Sequence, residues 1–213
     1  MPRLSQVPRA KARKDIQDKF DGVFGKDVDP TVTPGSATGT PGNWWTVWAH
    51  VPDALNGFSA HSMANASLDA KLRELALVRT GFVIGSQFVY SQHCKGARRN
   101  GVDEQKIKDV PSWWLSNSFT PQERAVLAYV DGMVLQQGRV HDVYFAELKK
   151  HLSEEDIIHL TYFTGMYMVH ATSTKALRLE YDDYPERCVE IPVPETKGVQ
   201  DHTDWKWAKA AAK

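Results

Sequence analysis

A chain of 213 residues is long enough for one sizeable domain with extensions, and 42% apolar against 24% charged residues is an ordinary globular mixture able to bury a core. Lysine plus arginine and aspartate plus glutamate both number 26, so the formal net charge is zero and gives no electrostatic reason to expect nucleic acid or an anionic membrane as partner. Two cysteines, Cys94 and Cys188, stand far apart and outside any CxxC spacing, which indicates neither a disulfide framework nor a structural metal.

The opening MPRLSQVPRAKARKD is polar and basic with no apolar segment, so no secretory signal is expected. No apolar run approaches the length of a membrane span, and a cytoplasmic location is the expectation. Residues 1–42 read as an N-terminal arm and linker. Ile16, Phe20 and Phe24 at fourfold spacing predict a short amphipathic helix over 11–24. The prolines and glycines of 26–42 then predict a loop.

The body is expected over 43–181. NWWTVWAHV predicts a helix that ends before Pro52, and a second helix follows over 52–63. The next opens with Ser67 as N-cap and Asp69 in its first turn. Its residues Leu72, Leu75, Ala76, Arg79, Phe82 and Val83 keep a helical period. A further helix spans 86–100, closed by Gly101, and a short one over 103–109 stops before Pro111. Thr120-Pro121-Gln122-Glu123 is a capping box that starts a helix ended by Gly138. Another helix covers 140–151. Ser153, followed by Glu154, Glu155 and Asp156, caps a long one through 179. Residues 182–213 form a C-terminal tail with scattered prolines. No segment alternates like a strand, so the prediction is an all-α bundle of about eight helices.

Chemistry concentrates in residues 72–107. Glu74 and Arg79 interrupt an otherwise apolar helix, and Ser86, Tyr90, His93 and Ala97 fall on one stripe of the next. A histidine beside a partly buried carboxylate is a sensible proton-transfer pair, because the carboxylate orients the ring and an imidazole exchanges its proton near neutral pH. Periodicity alone leaves a second reading open, in which Glu74 and Arg79 form a structural ion pair and His93 is a hydrogen-bonded core residue. Seven tryptophans suit a pocket wall, an interface or a core. Trp45 and His50 near the start of the body, and His170 in the apolar stretch TYFTGMYMVHATS, are candidate pocket-lining residues. His50, His93 and His170 lack metal-ligand spacing, and no metal is expected.

The pattern LRELALVR, then Gly85-Ser86, Val89-Tyr90 and His93, then ARRNGVDEQKI resembles the signature of the carboxymuconolactone decarboxylase/AhpD-like family. The resemblance implies an AhpD-like helical fold and a homo-oligomer (trimer, hexamer or dimer). It places the family's proton-relay glutamate on Glu74, twelve residues before the first cysteine position, and its histidine on His93, seven after it. The two cysteine positions hold Ser86 and Val89, which cannot perform the thiol chemistry of the peroxidase branch. The expected activity is therefore cofactor-free acid–base chemistry on a small-molecule substrate, as in the decarboxylase branch. His93 would transfer the proton, Glu74 would orient it, and Tyr90 would hydrogen-bond an enolate oxygen. Arg79 and Ser86, with Trp45, His50 and His170, would bind substrate. A peroxide reductase working through Cys94 and a non-catalytic ligand-binding oligomer are the alternatives.

Overall fold

The computed structural model describes residues 2–33, 42–60 and 66–179. Residues 34–41 of the linker, and the tail 182–213 with Cys188, lie outside the described residues. Among those described the chain is all-α, with nine α-helices and no strand. They are α1 (Lys14–Phe24), α2 (Asn43–Trp48), α3 (Pro52–Ala60), α4 (Ala70–Ile84), α5 (Gln87–Arg99), α6 (Glu104–Asp109), α7 (Pro121–Val134), α8 (Asp142–Leu148) and α9 (Glu154–Leu177). Among the described residues no helix is long and apolar enough to cross a membrane.

The starts of α7 and α9 follow the expected capping chemistry, whereas α7 ends at Val134, short of Gly138, and α8 starts at Asp142 behind His141. Thr120 and Glu123 satisfy each other's backbone N–H groups in a complete capping box, and Ser153 accepts from the Asp156 N–H. At α4 the cap is Asp69, not Ser67. Its carboxylate accepts from the N–H groups of Lys71 and Leu72, at 2.8 and 3.1 Å. Ser67 instead donates to Asp156, tying this corner to the start of α9. An acidic cap also complements the helix dipole, which favours Asp69 over its neighbour.

Helix α4 is the axis of the molecule. Every residue from Leu72 to Gly81 is buried, so this helix has no solvent face. It packs against α7 and α9 through Leu72, Ala76 and Leu77, which join Val126, Val130, Leu160 and Phe163. Leu75 and Val78 face Tyr90, Ala97, Ile107 and Leu127. The predicted arm is integral to the core, because Val7, Ile16 and Phe20 are buried in one cluster with Trp44, Leu55, Phe88 and Ala171.

Helices α4 and α5 run antiparallel through a tight turn. Gly85 (φ 71°) adopts the left-handed conformation, and Ser86 caps α5. Their axes approach closely because Gly81 has no side chain. A Cβ there would lie 2.6 Å from the backbone nitrogen of Tyr90. Gly81→Ala would have to push two packed helices apart, so it should destabilise the fold by about 1–3 kcal/mol. A urea-unfolding midpoint shift checks this.

Candidate functional site

The α4–α5 hairpin brings Glu74 and His93 together. His93 Nδ1 lies 2.8 Å from Glu74 Oε2, and both residues are buried, at 7% and 4% exposure. The carboxylate accepts the hydrogen bond, which places the ring proton on Nδ1. Nε2 makes no hydrogen bond to a described residue. Glu74's second oxygen, Oε1, accepts from Arg73 Nη2 at 3.3 Å. Burial pushes the Glu74 carboxyl upward. The His93 hydrogen bond, the charge of His93 and Arg73 outweigh it and hold the group below the usual carboxylate range.

Gly96, one turn beyond His93, makes this contact possible. A Cβ at that position would overlap the Glu74 carboxylate, 2.9 Å from its Cδ atom. Only a bare backbone lets the carboxylate lie against α5 at the height of the imidazole. Gly96 and Arg73 were not singled out from sequence, although a small residue three positions after a candidate histidine was a usable signal.

Helix α9 supplies the wall opposite. The Tyr167 ring stands edge-on to His93, with centroids 4.4 Å apart at 89°. Burial and the nearby charge of Glu74 hold the Tyr167 hydroxyl well above the ordinary phenol value, so it stays neutral. Tyr167 in turn stacks on His170 at 5.4 Å and 21°, and His170 stacks on Trp44 at 4.6 Å and 31°. A continuous series of rings therefore runs from the Glu74–His93 pair to α2.

The other predicted site residues have different tasks. Arg79 does not touch Glu74: its guanidinium grips Asp131 (Nε to Oδ1 2.7 Å) and the carbonyls of Val110 and Pro111, so its donors are committed to structure. Ser86 is fully buried as the α5 N-cap, where it receives the Val89 N–H and meets the Thr174 hydroxyl. Tyr90 packs in the cluster of Leu75, Val78 and Phe82, away from the ring contacts of His93. Half-buried Trp45 turns toward Phe24 (6.4 Å), and its neighbour Trp44 is the one that reaches His170. His50 is exposed and bound to Ser5, which fastens the N-terminal segment. His50 is thus held at Ser5 while His93 and His170 both pack on Tyr167, and among the described residues no group of three or more acidic, histidine or cysteine side chains is placed to hold a metal ion. Cys94, 1% exposed, sits in the apolar cluster of Tyr90 and Ala97, an environment that disfavours the reactive thiolate.

Residues 49–132 match the sequence profile of the Carboxymuconolactone decarboxylase family. The match spans less than half of the chain, and over that stretch the chain is similar to the family. It is similar to the uncharacterized protein YdfG of Bacillus subtilis, with 28% identity over 96 residues. That match covers 45% of this chain and 65% of the relative, so it spans less than two thirds of the relative's length. Among solved structures, an Agrobacterium tumefaciens protein of unknown function, linked to antioxidant defence and AhpD, aligns with TM-score 0.58 and 25% identity over 68% of this chain and 95% of its own. A peroxidase-related protein from Ralstonia eutropha JMP134 with an AhpD core aligns with TM-score 0.69 and 18% identity, covering 85% and 93%. The debrominase Bmp8 gives TM-score 0.63 and 17% identity over 80% and 87%. The last two establish the shared fold. The matched family stretch contains Glu74, His93 and Gly96, whereas Trp44, Tyr167 and His170 lie outside it.

Burial pushes His170 from 6.5 down to about 3, with the charge of His93 acting in the same direction. As pH falls below 6.5 the unfolded chain takes up this proton and the folded one does not. Stability is therefore complete above that value and declines toward pH 3. Between pH 6.5 and 5 the loss from this residue should be about 2 kcal/mol. Glu74, held low in the fold, adds a further loss below its ordinary value of 4.5. Unfolding curves of wild type and His170→Phe at pH 7 and 5 check the first part: the phenylalanine variant should lose most of the dependence.

Proposed function

We propose that this chain is a cofactor-free acid–base enzyme of the carboxymuconolactone decarboxylase/AhpD-like kind, a decarboxylase or double-bond isomerase of a cyclic, lactone-like or aromatic-derived acid. The observation that carries the reading is the buried 2.8 Å contact of His93 Nδ1 with Glu74, which leaves Nε2 for a substrate. In decarboxylation the C–C bond to the carboxylate breaks, carbon dioxide leaves, and the electron pair stays on the ring as a dienolate. The protonated ring delivers its Nε2 proton to that carbanion. In isomerisation the neutral ring removes a proton at one carbon and returns it at another. Glu74 stabilises the imidazolium in both cases and fixes the ring's orientation. The peroxide alternative is less well supported, since Ser86 and Val89 occupy the positions of the thiols and Cys94 is buried.

The reading includes a homo-oligomer and a cytoplasmic setting. Trp114, Leu115, Val143 and Tyr144 leave apolar surface exposed, as a subunit contact requires. Screening carboxylated lactones and related ring acids for carbon dioxide release, and for deuterium uptake from heavy water, tests the chemistry. Turnover on at least one is expected. Ligand-induced stabilisation with neither carbon dioxide release nor isotope uptake would replace the enzyme with a binding protein.

A further inference from the structure

Four nitrogen atoms at the far end of the ring series have no hydrogen-bond partner among the described residues, although all four are buried. They are Nδ1 and Nε2 of His170 and the indole Nε1 atoms of Trp44 and Trp48. Buried polar groups without partners are uncommon in folded proteins, and each costs free energy unless something occupies it. Four in one cluster, on side chains as enclosed as His170 (8% exposed) and Trp44 (4%), call for a common explanation.

The surroundings narrow what that occupant is. The faces of His170 are covered by Trp44 and Tyr167, while Phe58 and Phe88 approach it at 5.2 and 5.3 Å. The walls are thus flat rings, which favour a flat guest. Both indoles can only donate, and a neutral imidazole donates once and accepts once. The cluster therefore offers donors in excess, and a guest must bring acceptors. Among the described residues no charged side chain makes a hydrogen bond to His170, Trp44 or Trp48. The same burial that keeps His170 neutral would penalise an ionised guest.

We propose that His170, Trp44 and Trp48 form a polar subsite, one ring beyond Tyr167 from His93, that receives the carbonyl or amide end of an uncharged planar ring. Three of the residues that build it, Trp44, Trp48 and His170, lie outside the stretch that matches the family. The subsite is thus a feature of this chain's flanking helices. It deepens the proposed function, since it would set which end of a ring substrate points away from the Glu74–His93 pair. Its existence as a binding site does not require that reaction.

Calorimetric titration of the full chain with three ring probes of matched shape tests the subsite: benzamide, benzoate and toluene. Benzamide should bind, and the charged and oxygen-free analogues should bind about tenfold more weakly or less well still, because only benzamide supplies a neutral acceptor. His170→Phe keeps the stacked ring and removes both unpaired nitrogens. It should fold, melt at or above the wild-type temperature, and lose the preference for benzamide over toluene. Trp44→Phe should weaken benzamide alone. Equal binding of the three probes, no benzamide binding, or an unchanged preference in His170→Phe would overturn the proposal. Turnover is read separately: failure of His93→Ala to affect catalysis would sink the proton-transfer reading and leave the benzamide result standing.

Discussion

Replacing Arg79 with alanine should lower the stability of the folded chain by about 3–5 kcal/mol, the largest loss expected from a single side chain outside the apolar core. Arg79 is 3% exposed and rises from the middle of α4. Its Nε and Nη2 hold the two oxygens of Asp131 at 2.7 and 3.1 Å, and Nη1 reaches the carbonyls of Val110 and Pro111 at 3.2 and 2.9 Å. Trp113 donates to the same Asp131 carboxylate at 2.9 Å, and the guanidinium lies over the Trp114 ring at 5.3 Å. Removing the cation leaves a half-enclosed carboxylate and two backbone carbonyls with fewer donors. The α7 helix and the segment before it then lose their common anchor on α4. Arg79→Met with Asp131→Leu should recover a large part of the loss, because the uncompensated charge is gone. Urea unfolding of the single and double variants checks both statements. A single-variant loss below about 1 kcal/mol would mean that the pair behaves as a surface ion pair.

His93→Ala should reduce turnover on an identified substrate by about 10²–10⁴-fold, the usual worth of a positioned acid–base group. Binding should change much less, since the imidazole is proposed to act on the proton in motion rather than on the resting substrate. Glu74→Gln should give a smaller loss with the same sign: the amide can still hold the ring but cannot stabilise its cation. Steady-state rates of both variants, with circular dichroism to establish that the helices remain, check the order. Equal rates for wild type and His93→Ala would contradict the assignment.

The sequence made some of this legible and hid the rest for physical reasons. Helix boundaries were readable where local side chains satisfy the backbone, as at Thr120–Glu123 and at Gly101, because those signals act over three or four residues. The Ser67 expectation failed because two polar residues competed for one cap, and Ser67 had a distant partner in Asp156. Glu74 and His93 could be paired because they lie on adjacent helices of one hairpin and at the spacing of a known signature. Arg79 could not be matched to Asp131, which lies 52 residues away on α7. Ser86 shared the helical stripe of His93, yet its place at the first residue before the helix turned its hydroxyl into a backbone cap. Trp44 and Trp45 differ by about 100° of helix rotation. In a six-residue helix with apolar residues on both flanks, nothing local fixes that angle. The ring series through Tyr167 and His170 depends on α9 crossing the α4–α5 hairpin, which is tertiary information.

The claim beneath all of this is that Glu74 fixes the proton of His93 on Nδ1 and leaves Nε2 as the reacting atom. Long-range nitrogen–proton NMR of the labelled chain, at a pH where imidazoles are uncharged, reads that arrangement directly. The account predicts the Nδ1–H form for His93 in wild type and a mixed or altered form in Glu74→Leu, which has no acceptor. A wild-type ring protonated at Nε2, or a signal indifferent to Glu74→Leu, would contradict it.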